Sequence, residues 1–185
     1  MAIWVWTNAR IIIDPNGQYQ RIRDSFQGYP QEVLVRKLKY HWLRAWYWAI
    51  EAYPHHHTDD RQLLPAGISV LNTVNELLKF FFLADGKPFP YDEQLIQMAG
   101  ATDIGARYLP ELRKVVDLVV GNAEPDLQPW ERLDKAFRLV VNEDDGGFYQ
   151  ACARAMAAAG VDQAWIDADF NNIHELLCGH LGPTP

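Results

Sequence analysis

Between Arg61 and Leu83 the chain carries a stretch that is apolar around most of a helix and polar along one seam. Val70, Leu71, Val74, Leu77, Leu78, Phe80, Phe81 and Phe82 would cover most of its circumference. At about 100° per residue, Asn72, Asn75, Glu76 and Lys79 gather into a stripe roughly 100° wide. A helix with so little polar surface has to be enclosed by other elements. The stretch therefore predicts a helical bundle built around it. A second stretch, His41 to Ile50 within a predicted helix 31–53, is apolar nearly all round and should also lie centrally.

The remaining segments fit that plan. Asp85-Gly86-Lys87-Pro88 breaks the chain after the long helix. A short helix is expected from Tyr91 to Ala99, and another over 104–120 capped by Thr102 or Asp103. Pro129 should open a helix reaching Val141, helix 148–159 ends at Gly160, and Asp162 should cap a last helix running to Cys178. With 185 residues and 49% apolar content, one domain with a real core is expected.

The front of the chain reads differently. Asp14-Pro15-Asn16-Gly17 is a type I turn signal. It joins Ile11-Ile12-Ile13 to Tyr19-Gln20-Arg21-Ile22, which predicts a β-hairpin over 3–22. The fold class is thus mainly α: six or seven helices preceded by a short β-hairpin. The divisions are 1–28 for the hairpin, 29–181 for the bundle and 182–185 for a loose tail. A lone hairpin is marginal in water, and Trp4 and Trp6 have nothing obvious to bury them. Residues 3–22 are therefore expected to pair with a missing catalytic domain or a second copy of the chain.

Charge and cysteine usage exclude several classes. The net charge of −7, with no Lys/Arg-rich run, argues against a nucleic-acid footprint. It mildly favours a small cationic substrate. Cys152 and Cys178 form no close motif, so neither a disulfide framework nor a zinc site is expected. Met1-Ala2-Ile3 lacks the basic start of a signal peptide. The apolar runs are interrupted by Asn, Glu and Lys, so no membrane association is expected and the compartment is cytoplasmic.

Asp60-Arg61, the run Asn75-Glu76-Leu77-Leu78-Lys79-Phe80-Phe81-Phe82-Leu83 and the loop Gly86-Lys87-Pro88-Phe89-Pro90 resemble the helical C-terminal region of bacterial nucleotidyltransferase-like proteins. These are relatives of the aminoglycoside adenylyltransferases that carry a C-terminal domain of unknown function. Trp6 to Gly17 resembles the last strand and hairpin of the nucleotidyltransferase domain, and Tyr29-Pro30 the entry to its first C-terminal helix. The resemblance reaches about residue 120. It implies a substrate-binding helical lobe. The seam Asn72, Asn75, Glu76 and Lys79 either faces water, tied by a Glu76–Lys79 i,i+3 pair, or faces a cleft; in the second case these residues, with Asp59 and Asp60 at the cleft mouth, are the candidate substrate-binding residues. Such enzymes need a Gly-Ser turn for the phosphates and an Asp-x-Asp pair for magnesium. The chain has no Gly-Ser, and its only Asp-x-Asp, Asp167-Ala168-Asp169, falls in a predicted helix where i and i+2 diverge. No catalytic residue is assigned, and Mg and ATP would belong to the missing domain. Alternatives are a non-catalytic interaction module docking through the hairpin, and a HEPN-like ribonuclease suggested by the spacing of Arg36 and His41.

Other patterns read as structure. His55-His56-His57 and Glu143-Asp144-Asp145 read as solvated loops, because neither has metal-ligand spacing. Trp42, Trp46 and Trp48 read as core.

Overall fold

The computed structural model describes residues 2–26, 28–52, 62–140 and 148–167. Among them every regular element is helical. The helices are α1 (Ala2–Asn8), α2 (Gln18–Ser25), α3 (Gln31–Trp46, running on as a π-helical segment Tyr47–Ala52), α4 (Leu63–Ala84), α5 (Asp92–Met98), α6 (Asp103–Val120), α7 (Pro129–Val140), α8 (Phe148–Ala158) and α9 (Gln163–Ile166).

Helix α4 is the axis of the bundle, as its apolar circumference requires. Phe80, Phe81 and Leu83 are fully buried, and Val70, Val74, Leu77 and Leu78 nearly so. Helix α3 lies along it, burying Leu38, Trp42 and Leu43. The Trp42 ring meets Phe80 at 5.8 Å between centroids, Trp46 at 5.6 Å and Tyr149 of α8 at 5.1 Å. Trp42 and Trp46 are core residues, and the half-buried Trp48 lies under the Arg44 guanidinium. α6 and α7 close the far side with Leu112, Val115, Leu118, Leu133 and Ala136. α4 is also long and apolar enough to cross a membrane, but its apolar faces are occupied by the bundle.

Local chemistry fixes the helix ends. Thr102 caps α6, its hydroxyl oxygen accepting the Gly105 N–H at 3.0 Å. Gly105 has to be glycine, because a Cβ there would stand 2.0 Å from the Ala99 carbonyl oxygen. Asp162 caps α9 through the Ala164 N–H at 2.7 Å. At the start of α3 the Gln31 amide donates to the Ala159 carbonyl, tying α3 to the end of α8.

The expected hairpin over 3–22 is replaced by α1 and α2. The turn itself forms, with the Gly17 N–H donating to the Asp14 carbonyl at 3.0 Å. The path of the chain beyond the turn is decided by the Asp14 carboxylate, which accepts the N–H groups of Gln18 at 3.0 Å and Gln20 at 2.9 Å. Those are the unsatisfied donors of a helix start, so Asp14 launches a helix and not a returning strand. Ile11–Ile13 has strand preference without a partner strand, and it stays an irregular connection. Trp4 is not stranded either: its ring packs edge-on against Tyr91, 6.1 Å away.

Candidate functional site

The polar seam of α4 is covered at Glu76 and Lys79 and open to water toward Asn75. The covered part is closed by one side chain from α3 and one from α5. Glu76 lies under α3, where its Oε2 stands 2.7 Å from His41 Nδ1, with side-chain exposures of 12% and 9%. Lys79, one turn on, places its ammonium 3.8 Å from Glu76 Oε1 and 3.3 Å from Asp92 Oδ1. Asn75 donates to the other Asp92 oxygen at 3.2 Å. Asn72, one turn earlier, is half-buried. The structure thus gathers Asn75, Glu76 and Lys79 into one network and completes it with His41 and Asp92. Asp59, Asp60 and the three histidines 55–57 lie outside the described residues.

The electrostatics of the pair follow from its surroundings. Burial alone would push the Glu76 carboxyl up. The hydrogen bond to His41 and the charges of His41, Lys79 and Arg44 together outweigh burial and hold it below the ordinary value of 4.5. Glu76 is therefore ionised at neutral pH and can only accept hydrogen bonds. The proton between the two side chains belongs to His41 Nδ1, which leaves Nε2 as the nitrogen able to meet a ligand. That is the arrangement in which a carboxylate fixes the orientation and tautomer of an imidazole.

His41 also lines a groove beside α3. Val33, Arg36, Lys37, Tyr40 and His41 surround an open volume of about 460 Å³. These positions are spaced as one helical stripe. The ring of Phe89, from the Gly-Lys-Pro-Phe-Pro loop, packs edge-on against His41 at 5.3 Å, and Tyr40 packs against it at 5.1 Å. The Lys37 ammonium sits 5.2 Å over Tyr29 and 5.9 Å from the Phe89 ring centre. The loop after α4 is therefore a clamp that fixes the imidazole between the buried carboxylate and the groove.

The seam of α4 was readable from its period. The partner of Glu76 was not, because His41 lies 35 residues upstream on an apolar helix face. Asp92 carried no signal beyond its place in the first turn of α5. Arg36 and His41 were paired by spacing alone, and the structure sets both along the same groove. Among the described residues no group of three or more His, Cys, Asp or Glu side chains could hold a metal ion. Cys152 is fully buried, and burial pushes its thiol well above the usual range, which makes it an inert core residue.

A family model described as Domain of unknown function (DUF4037) matches residues 1–93, from α1 to the first turn of α5. The whole network of His41, Asn75, Glu76, Lys79 and Asp92 lies inside the matched segment. No curated protein and no solved structure matches the chain.

Proposed function

The chain belongs to the DUF4037 family, a domain of unknown function, and from its site we propose that it is the ligand-binding helical lobe of a nucleotidyltransferase-like protein. The observation that carries this reading is the enclosed His41–Glu76 pair at the edge of an open groove. A buried ion pair is a poor device for stability, since replacing one by apolar residues is often neutral or stabilising. A carboxylate–histidine pair that also reaches a cavity is better accounted for by what it holds. The resemblance of 60–90 to nucleotidyltransferase-like proteins supplies the context: binding here, nucleotidyl transfer on a catalytic domain that provides the Gly-Ser turn and the Asp-x-Asp pair. Mg and ATP would bind on that domain.

The partner surface would be the front of the chain. Ile12 and Ile13 are 85% and 77% exposed, and Ile22 of α2 is half-exposed. With α1 and α2 helical, docking there uses side chains, not strand addition.

A second reading has one observation in its favour: Arg36 and His41, the pair a HEPN-like ribonuclease would use, line the same groove. Two assays separate the readings. As a binding lobe, the chain alone transfers no nucleotide from Mg-ATP and cleaves no RNA in EDTA. Any small charged molecule that raises its Tm should lose that effect in His41→Gln. RNA cleavage abolished by His41→Ala would establish the second reading. Ligand stabilisation untouched by His41→Gln would contradict the first.

A further inference from the structure

The bundle covers α4 closely along most of its length and poorly at its start. Leu64 is 74% exposed, and Ile68, one turn on, is half-exposed. Both line a second groove, of about 330 Å³, walled also by Val119 and the half-exposed Val120 at the end of α6 and by Arg132 of α7. Leu64, Ile68 and Leu71 stand at i, i+4 and i+7, so they form one apolar stripe along it. Gly67 sets the α6 wall close, since a Cβ there would already stand 3.4 Å from Val119 Cγ1. Arg132 brings a cation to this apolar lining. Among the described residues its guanidinium, with five N–H donors, finds one acceptor, the Leu127 carbonyl, 2.7 Å from Nη1. Its Nε is buried without a partner. Two carboxylates of the same stretch of chain are engaged elsewhere: Glu124 accepts from Lys135 at 2.7 Å through both oxygens, and Glu131 accepts the Gln128 N–H at 2.8 Å. Nη2 lies against Gly121 at the α6 C-terminus, but the negative end of a helix amounts to about half an elementary charge. Arg132 is thus a cation with more donors than acceptors at an apolar groove.

We infer that this groove binds an aliphatic monocarboxylate, with its carboxylate on the Arg132 guanidinium and its chain along Leu64, Ile68 and Val120. A carboxylate matches a guanidinium through paired, charge-assisted hydrogen bonds. A purely apolar ligand would cover the same donors and leave them unmade, which costs free energy. Ligand pockets of this size are mostly apolar, with a few polar groups that fix orientation. The site lies where α4 meets α6 and α7, and it does not depend on the reading of His41 and Glu76.

The test is a titration of the full chain followed by backbone amide NMR, with octanoate, decanoate and decanol as probes. Decanoate should shift the amides of 64–71, 119–121 and 130–133. It should bind about ten-fold more tightly than decanol, the scale of one hydrogen bond to a charged group. Each methylene added from octanoate to decanoate should tighten binding about four-fold. Arg132→Gln should remove the preference for the acid over the alcohol, and Arg113→Gln, at an exposed cation on α6, should keep it. Ile68→Ser should weaken acid and alcohol alike. Decanol binding as tightly as decanoate to the unaltered chain would overturn the carboxylate, whatever the variants do. Shifts centred elsewhere, or none, would overturn the site. Self-association that Ile68→Ser abolishes and decanoate leaves undisturbed would overturn the ligand in favour of a second copy of the chain.

Discussion

Helices α4 and α2 both lie within the family-matched segment, and opposite forces hold them. α4 buries residues on nearly every turn, from Ala66 to Leu83, and its shape is dictated by packing. α2 buries none of its residues. Its helicity starts from the Asp14 carboxylate, and its eight residues fall short of the dozen or so that a helix alone in water needs. One region is therefore specified by tertiary burial and the other by a single cap. The candidate site is built on the first, where two packed helices hold His41 and Glu76 in register. The second leaves its one isoleucine, Ile22, facing outward, as do Ile12 and Ile13 just ahead of it.

The largest expected effect probes that contrast directly. Phe80→Ala, at a fully buried position on α4, should cost about 3–5 kcal/mol in urea unfolding. Ile22→Ala on α2 should cost no more than about 0.5 kcal/mol. Comparable losses would mean that α2 packs far more tightly than its exposure indicates.

Glu76→Ala comes next. It strands His41 and Lys79 beside a vacated carboxylate, and about 3 kcal/mol of destabilisation is expected. The pH dependence has a definite sign. The folded carboxyl titrates below the 4.5 expected of the unfolded chain. Its contribution is therefore complete above about pH 4.5 and is lost as pH falls through the lower folded value. Glu76→Gln should flatten the stability profile in that acid window. A profile unchanged by Glu76→Gln would show that the carboxylate gains nothing from its neighbours.

A smaller effect belongs to the cap. Asp14→Ala removes the acceptor of two N–H groups and should cost α2 about 1 kcal/mol locally. Amide exchange should quicken in 18–25 while the denaturant midpoint for the bundle stays in place. A shift of the whole transition would couple the two regions. The smallest effect on stability is expected from Ile12→Ser with Ile13→Ser, within about 0.5 kcal/mol. Light scattering should show any self-association reduced by the same pair, and association unaffected by it would remove this face as the contact.

The contrast also explains how far the sequence could be read. The long helix, its seam and the Thr102 and Asp162 caps were legible because periodicity and capping are local. At the front, the Asp14–Gly17 turn was legible but its consequence was not. Whether such a turn returns a strand or starts a helix depends on where the Asp14 carboxylate points and whether Ile11–Ile13 has a neighbouring strand. Trp4 looked unburied because Tyr91 is distant in sequence and near only in space. The same limit hid the closure of the site. Asn75, Glu76 and Lys79 share one helix face and announce themselves. His41 and Asp92 reach them only through the packing of α3 and α5 on α4.

The His41–Glu76 pair is open to direct measurement in the nitrogen NMR spectrum of the His41 ring at neutral pH. A carboxylate at Glu76 2.7 Å from Nδ1 requires the proton on Nδ1. That tautomer is expected in the wild-type chain, and its loss is expected in Glu76→Gln, whose amide can donate to a bare Nδ1. A wild-type ring carrying its proton on Nε2 alone, with Nδ1 unprotonated, would contradict the buried pair and the site built on it.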